Sequence, residues 1–130
     1  MSSSHSHRWE REVLGDNLCL IIRRAPFGTL YAAEGIRLAN GKIAHGGGLT
    51  IVLVDDGVYV AKKGQRAEES GWTSLTDEVT KLSKRVRMCV HVGSLKSAGL
   101  SAESLVDGIA PIDDQELANI IAQSDTTIVL

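Results

Sequence analysis

The sequence is poor in aromatic residues, has no excess of positive charge, and has no long apolar run. Its aromatic residues are two Trp, two Tyr and one Phe, which leaves few side chains on which nucleic-acid bases could stack. The formal net charge is −2, so no general positive field would attract a polyanion. No apolar stretch reaches the roughly 20 residues that a membrane-spanning helix needs. We therefore expect neither direct nucleic-acid binding nor a membrane span.

Cysteine is also scarce, with Cys19 and Cys89 the two in the chain. The N-terminus lacks the apolar core of a signal peptide, which favours reduced thiols and a cytoplasmic location. Residues 1–16 are polar and are predicted to form a flexible extension. His5 and His7 lie in it without a nearby cysteine or further histidine, so no metal site is predicted.

Four short runs of mostly apolar, β-branched residues recur along residues 17–130. They are Asn17–Arg23, Leu49–Val54, Val86–Val92 and Thr126–Leu130. Several are apolar at successive positions, which is typical of parallel strands buried on both faces. Helical periods separate them, near Thr29–Ala39, Ser74–Ser83 and after Asp113. This alternation predicts a single α/β domain over residues 17–130, a three-layer α/β/α sandwich with a mainly parallel, flavodoxin-like sheet.

The last predicted helix has the clearest start signal. Asp113 is followed three residues later by Glu116, a pattern that resembles a capping box. Leu117, Ile120 and Ile121 then form its expected buried face. After the second strand, Asp55 and Asp56 are interpreted as turn and cap residues, because no third carboxylate follows to hold a cation.

The first strand-to-helix turn is a weak candidate for binding an anion or a partner. Arg24, Gly28 and Thr29 lie where free helix N–H groups could face a ligand, and Ser94 offers a hydroxyl at the corresponding end of another strand. The turn has neither GxGxxG nor a Walker lysine, so an ordinary connection is favoured and no cofactor is predicted.

Cys89, His91 and Ser94 are the strongest candidates for chemistry. They lie at the carboxyl end of the third predicted strand, the edge at which parallel α/β sheets place their sites. An imidazolium beside the thiol would lower its pKa and make Cys89 a nucleophile. Two interpretations stay open: a catalytic Cys89 assisted by His91, or a buried structural cysteine beside a hydrogen-bonded histidine. A Cys–His–Asp hydrolase is disfavoured, because the nucleophile would be in mid-strand.

The order of several segments resembles the DsrE/DsrF/DsrH (TusB/TusC/TusD) sulfur-relay family, and within it the DsrF/TusC branch. The matching segments are IIRRAPFGTLYAAEGIRLA, IVLVDDGVYVAKKGQ, SLKSAGL and LANIIAQSDTTIVL. The resemblance implies a flavodoxin-like domain, assembly into trimers or hexamers with itself or with related subunits, and persulfide transfer between donor and acceptor proteins. Members that carry sulfur place their cysteine at the position of His91, so Cys89 lies two residues earlier.

Two roles follow from the resemblance. The chain is either a sulfurtransferase-like carrier that holds sulfur on Cys89, or a non-catalytic, partner-docking subunit of a DsrEFH/TusBCD-like oligomer. Thiol accessibility separates them, and we expect Cys89 to be more accessible than the mid-strand Cys19. Exposed apolar side chains at Tyr31, Val58 and Tyr59, with Trp72, are expected to favour assembly.

Overall fold

One all-parallel, five-stranded sheet forms the centre of the protein. The computed structural model describes residues 17–24, 31–62 and 75–130. Its strands are β1 Asn17–Ile22, β2 Gly48–Leu53, β3 Arg87–His91, β4 Ile109–Ile112 and β5 Thr126–Val129, in the order β4-β3-β2-β1-β5. The α-helices are α1 Tyr31–His45, α2 Leu75–Ser83, α3 Val92–Ser97 and α4 Asp114–Gln123, and a 3-10 helix spans Asp55–Ala61. The predicted α/β fold class is confirmed.

The direction in which strands are added decides which face of the sheet each helix covers. From β1 to β4 every strand is added on the same side, so right-handed crossovers place α1, α2 and α3 on one face. The chain then returns across the sheet to place β5 beside β1. The connecting helix, α4, consequently lies on the opposite face.

The core is divided between the two faces. On the first face, alternate β1 residues pack with Ala39 of α1, Val79 of α2, Leu95 of α3 and Val58 of the 3-10 helix. The smaller second core contains Cys19, Ile21, Val52, Cys89 and Ile112, covered by Ile120 and Leu117 of α4. Both cysteines therefore face α4. None of the described helices is long and apolar enough to cross a membrane.

Three local expectations differ from the structure. The strand β4, which has the sequence IAPI, was not predicted, because it is short and contains Pro111; its place at the sheet edge tolerates the missing N–H. Val58 is buried rather than exposed, because the 3-10 helix turns it into the first core. Ile121 is 40% exposed, so the buried face of α4 is narrower than expected.

Candidate functional site

A chain of polar contacts runs along the carboxyl edge of the sheet, across the ends of four strands. After β1, Arg23 donates through Nε to Asp55 Oδ2 at 3.2 Å. After β2, the backbone N–H of Asp55 donates to Ser94 Oγ at 2.8 Å. At the end of β3, Ser94 Oγ lies 2.9 Å from His91 Nδ1. The other ring nitrogen, Nε2, contacts Asp114 Oδ1 in the first turn of the helix after β4.

Asp55 has an unusual backbone conformation at this edge. Its φ is +50°, the one positive value among the described non-glycine residues. Aspartate tolerates this left-handed region better than most side chains do. The ion pair with Arg23 is well exposed on both sides and contributes little. Ser94, which accepts the Asp55 amide, is only 8% exposed. This hydrogen bond is therefore better shielded from solvent than the ion pair, and it is the stronger restraint on the backbone of Asp55.

His91 has a defined hydrogen-bonding role as the N-cap of α3. Its Nδ1 accepts the backbone N–H of Ser94 at 3.2 Å, which requires that Nδ1 carry no proton. In the neutral ring Nε2 then holds the proton and donates to Asp114, while the Ser94 hydroxyl donates to Nδ1. Gly93 allows this arrangement, because a Cβ there would lie 3.0 Å from the His91 ring.

A cleft of about 530 Å³ opens beside these side chains. It is lined by Asp55, Asp56, Tyr59, His91, Gly93, Ser94, Ser97 and Ala98. The volume is within the range of small-molecule sites. Its two aspartates make the cleft acidic rather than suited to an anion. The described residues include no group of three or more His, Cys, Asp or Glu side chains that could hold a metal ion.

Cys89 lies in a different environment from His91 and Ser94. It is 0% exposed, and so is Cys19, so the prediction that Cys89 is the more accessible thiol is wrong in this conformation. The reason is tertiary: Cys89 faces α4 on the second side of the sheet, next to Val52 of β2 and Ala110 of β4. The sequence could place it near a strand end but could not show which helix covers that face.

The same burial sets the protonation state of both thiols. Desolvation raises the pKa of Cys89; the Arg87 guanidinium, which also hydrogen-bonds the thiol, lowers it, and the Glu116 carboxylate raises it further. Desolvation and the charge of Cys89 raise the pKa of Cys19, against a hydrogen bond from Ser124. Because both shifts are upward overall, the buried thiols are protonated at neutral pH and neither is an activated nucleophile here.

The structure brings together some of the residues proposed from the sequence and leaves others apart. Ser94 and His91 are in contact. Arg24 is exposed, and Gly28 and Thr29 lie outside the described residues, as do His5, His7 and Trp72. Sequence reasoning missed Asp114 as a partner of His91. The one available signal was its place in the acidic first turn of a helix that follows a strand.

Known proteins that resemble this chain have a similar fold, and they identify the family to which it belongs. The all-parallel sheet, with helices on both faces and a polar carboxyl edge, defines a three-layer α/β/α sandwich. Its strand order, β4-β3-β2-β1-β5, differs from the 2-1-3-4-5 order of flavodoxin. The DsrE/DsrF-like family model matches residues 16–130, so the chain belongs to that family and the resemblance is confirmed.

Two curated relatives and one solved structure illustrate the relationship. An uncharacterized protein of Methanopyrus kandleri is 29% identical over 87% of this chain and 93% of its own length. The intracellular sulfur oxidation protein DsrF of Allochromatium vinosum is 30% identical over 80% of this chain and 79% of its own. The crystal structure of the ychN protein from E. coli superposes with a TM-score of 0.74 at 19% identity, covering 88% of this chain and 99% of that one. The last likeness concerns the fold alone.

Proposed function

We propose that this protein is a subunit of a cytoplasmic sulfur-relay system, in which sulfur passes between proteins as persulfide. The observation that carries the proposal is its 30% identity, over four-fifths of the chain, with an intracellular sulfur oxidation protein of the same family. The family alone leaves two roles open, a sulfur carrier and a docking subunit.

The environment of Cys89 favours the docking role. Persulfide transfer requires a thiolate that can reach the sulfane sulfur of a donor. Cys89 is fully buried, and its pKa is raised. A subunit with this conformation contributes surfaces rather than an open thiol. The acidic cleft beside His91 and Ser94 is then a candidate contact for a donor or acceptor protein.

A carrier role on Cys89 remains the second candidate, because α4 packs on the sheet through few buried side chains. Ile120 is its one buried residue, so moving this helix would disrupt few apolar contacts. Once uncovered, the Cys89 thiolate would attack the terminal sulfur of a donor persulfide. A Cys89 persulfide would form, and the donor would leave as a thiolate that takes up the proton released by Cys89.

Intact-mass measurement after incubation with a protein persulfide donor separates the two roles. The docking role predicts no added sulfur on the isolated protein. The carrier role predicts the gain of one sulfur atom by the wild type and by Cys19→Ser, but not by Cys89→Ser. Cys19 is a matched control because it is equally buried on the same face of the sheet. Loading that disappears only in Cys89→Ser would overturn the docking role.

We also propose that the protein works as a homo-oligomer or hetero-oligomer, a trimer or hexamer, with related subunits. Ile121 and Val129 support this, because they are the large hydrophobic side chains most exposed among the described residues. Light scattering of the full chain, alone and co-expressed with DsrE- and DsrH-like subunits, tests it. A monomer at high micromolar concentration that captures none of those subunits would refute the proposed assembly. The relay role is tested separately, by the intact-mass measurement.

A further inference from the structure

Ser94, His91 and Asp114 are connected in the order hydroxyl, imidazole, carboxylate. The Ser94 hydroxyl lies 2.9 Å from His91 Nδ1, and His91 Nε2 contacts the Asp114 carboxylate. This order supplies a nucleophile, a base that can take its proton, and a carboxylate, 92% exposed, that orients the imidazole through its other ring nitrogen. We propose that Ser94 is the nucleophile of an acyl-transfer site that accepts small neutral or cationic esters or thioesters. The proposal goes beyond the sulfur-relay role and does not depend on it.

The local backbone suits such a nucleophile. Ser94 follows the end of β3 by three residues and lies in the first turn of α3, at the carboxyl edge of a parallel sheet. Gly93 lets the imidazole approach, since a Cβ there would lie 3.0 Å from the ring. The Asp55 amide donates to one lone pair of Ser94 Oγ, which orients the hydroxyl and leaves the other lone pair for attack.

Helix capping alone does not account for this cluster. Capping explains why His91 Nδ1 accepts the amide of Ser94 at 3.2 Å. It requires neither the second contact of Nδ1 with the Ser94 hydroxyl nor the carboxylate on Nε2. The ring nitrogens are used in the opposite sense to the serine-protease triad, in which Nε2 faces the serine. The direction of proton transfer is the same.

The cleft determines the class of substrate. Ser94 and His91 both line it, so an acyl group held there can reach the hydroxyl. Asp55 and Asp56 also line it, and their carboxylates disfavour an anionic substrate. The volume of about 530 Å³ accommodates a small molecule. A small ester or thioester with a neutral or cationic leaving group fits these features.

The chemical step needs no group beyond substrate and water. Ser94 Oγ attacks the carbonyl carbon while its proton moves to His91 Nδ1. The tetrahedral intermediate collapses, and the alcohol or thiol leaves with that proton. Water, deprotonated by His91, then attacks the acyl-Ser94 ester. The bond between the acyl carbon and Ser94 Oγ breaks, the acid is released, and the proton on His91 Nδ1 returns to Ser94 Oγ. Asp114 contacts His91 Nε2 throughout the cycle and keeps Nδ1 turned towards Ser94.

A neutral alkyl fluorophosphonate tests the nucleophile directly, because the serine oxygen displaces fluoride and keeps the phosphonyl group. We expect the full-length wild type to gain one phosphonyl group, mapped to Ser94 by peptide mass spectrometry. Ser94→Ala should not be labelled. Ser101→Ala is the control and should label like the wild type, since Ser101 is exposed and is not one of the residues that line the cleft. Peptide mapping of the wild type identifies the site even if Ser94→Ala fails to fold.

His91→Asn separates catalysis from capping. Asparagine is a good N-cap residue but cannot accept the proton, so labelling should slow by about 100-fold while circular dichroism is unchanged. A thiocholine ester should be cleaved faster than an anionic ester of similar size. The proposal is overturned if the wild type is not labelled, if label maps away from Ser94, or if His91→Asn labels as fast as the wild type.

Discussion

The backbone amide of Asp55 donates a 2.8 Å hydrogen bond to Ser94 Oγ, although the two residues are 39 positions apart in the chain. This contact joins the segment after β2 to the helix after β3. It also connects the exposed Arg23–Asp55 pair with the His91–Asp114 pair. The carboxyl edge of the sheet is therefore one hydrogen-bonded unit, and changes at its centre should affect both sides.

Ser94→Ala should lower the free energy of unfolding by about 1–3 kcal/mol. The substitution leaves the Asp55 amide without its partner in a partly buried place, which costs the desolvation of that group. Urea unfolding followed by circular dichroism measures the change. Ser97→Ala, at an exposed position of α3, should stay within about 0.5 kcal/mol of the wild type. Equal stabilities of the two variants would mean that the Asp55–Ser94 contact contributes nothing.

Gly57→Ala and Gly41→Ala should change stability in opposite directions. A Cβ on Gly57 would lie 1.9 Å from the carbonyl oxygen of Ile22, a backbone clash that should cost roughly 3 kcal/mol. Gly41 is within α1 and has open space around its Cβ position, so alanine should stabilise the helix by up to about 1 kcal/mol. Thermal unfolding of both variants measures the pair. A tolerated Gly57→Ala would contradict the close approach of the 3-10 helix to the end of β1.

Ile120→Ala should make Cys89 react faster with a thiol reagent. Ile120 is the buried residue of α4, and α4 covers the face that holds both cysteines. Removing its side chain should lower the free energy of local opening by about 2–4 kcal/mol and speed labelling accordingly. Ile121→Ala is the control on the next residue, which is exposed, and should change little. Labelling of native protein with iodoacetamide, quantified by mass spectrometry, distinguishes the two. Fast labelling of the wild type would mean that α4 does not shield Cys89.

The stability of the protein should fall as the pH rises above the ordinary thiol pKa. Burial raises the pKa of Cys19 and Cys89 in the folded state, whereas the unfolded thiols ionise near about 8.5. The unfolded state therefore loses protons first, and the stabilisation is complete below that pH and lost above it. Cys89→Ala should reduce the slope of unfolding free energy against pH by up to about 1.4 kcal/mol per unit. Denaturant titrations between pH 7 and 10 measure this slope. Identical slopes for the wild type and Cys89→Ala would refute a raised pKa at Cys89.

Local sequence patterns predicted much of the secondary structure because the relevant interactions are short in range. The run Asn17–Arg23 formed β1 within one residue, because continuous apolar β-branched character is favoured only in a buried strand. Asp113 caps α4 by accepting the amide of Glu116 at 2.8 Å, as the spacing indicated. Four such runs alternating with helical periods were enough to predict a mainly parallel α/β sheet.

Tertiary structure alone decided the composition of the site and the state of the thiols. The reversal of strand order between β4 and β5 places α4 over Cys89, a consequence of long-range strand pairing that no local pattern records. The pairing of β4 with β3 sets Ile112 opposite His91 and so brings Asp114 to His91, 23 residues earlier in the chain. The contact of Asp55 with Ser94 likewise depends on β2 and β3 being neighbours. The sequence determined which residues could carry chemistry, and the order in which the strands pair determined which of those residues are in contact.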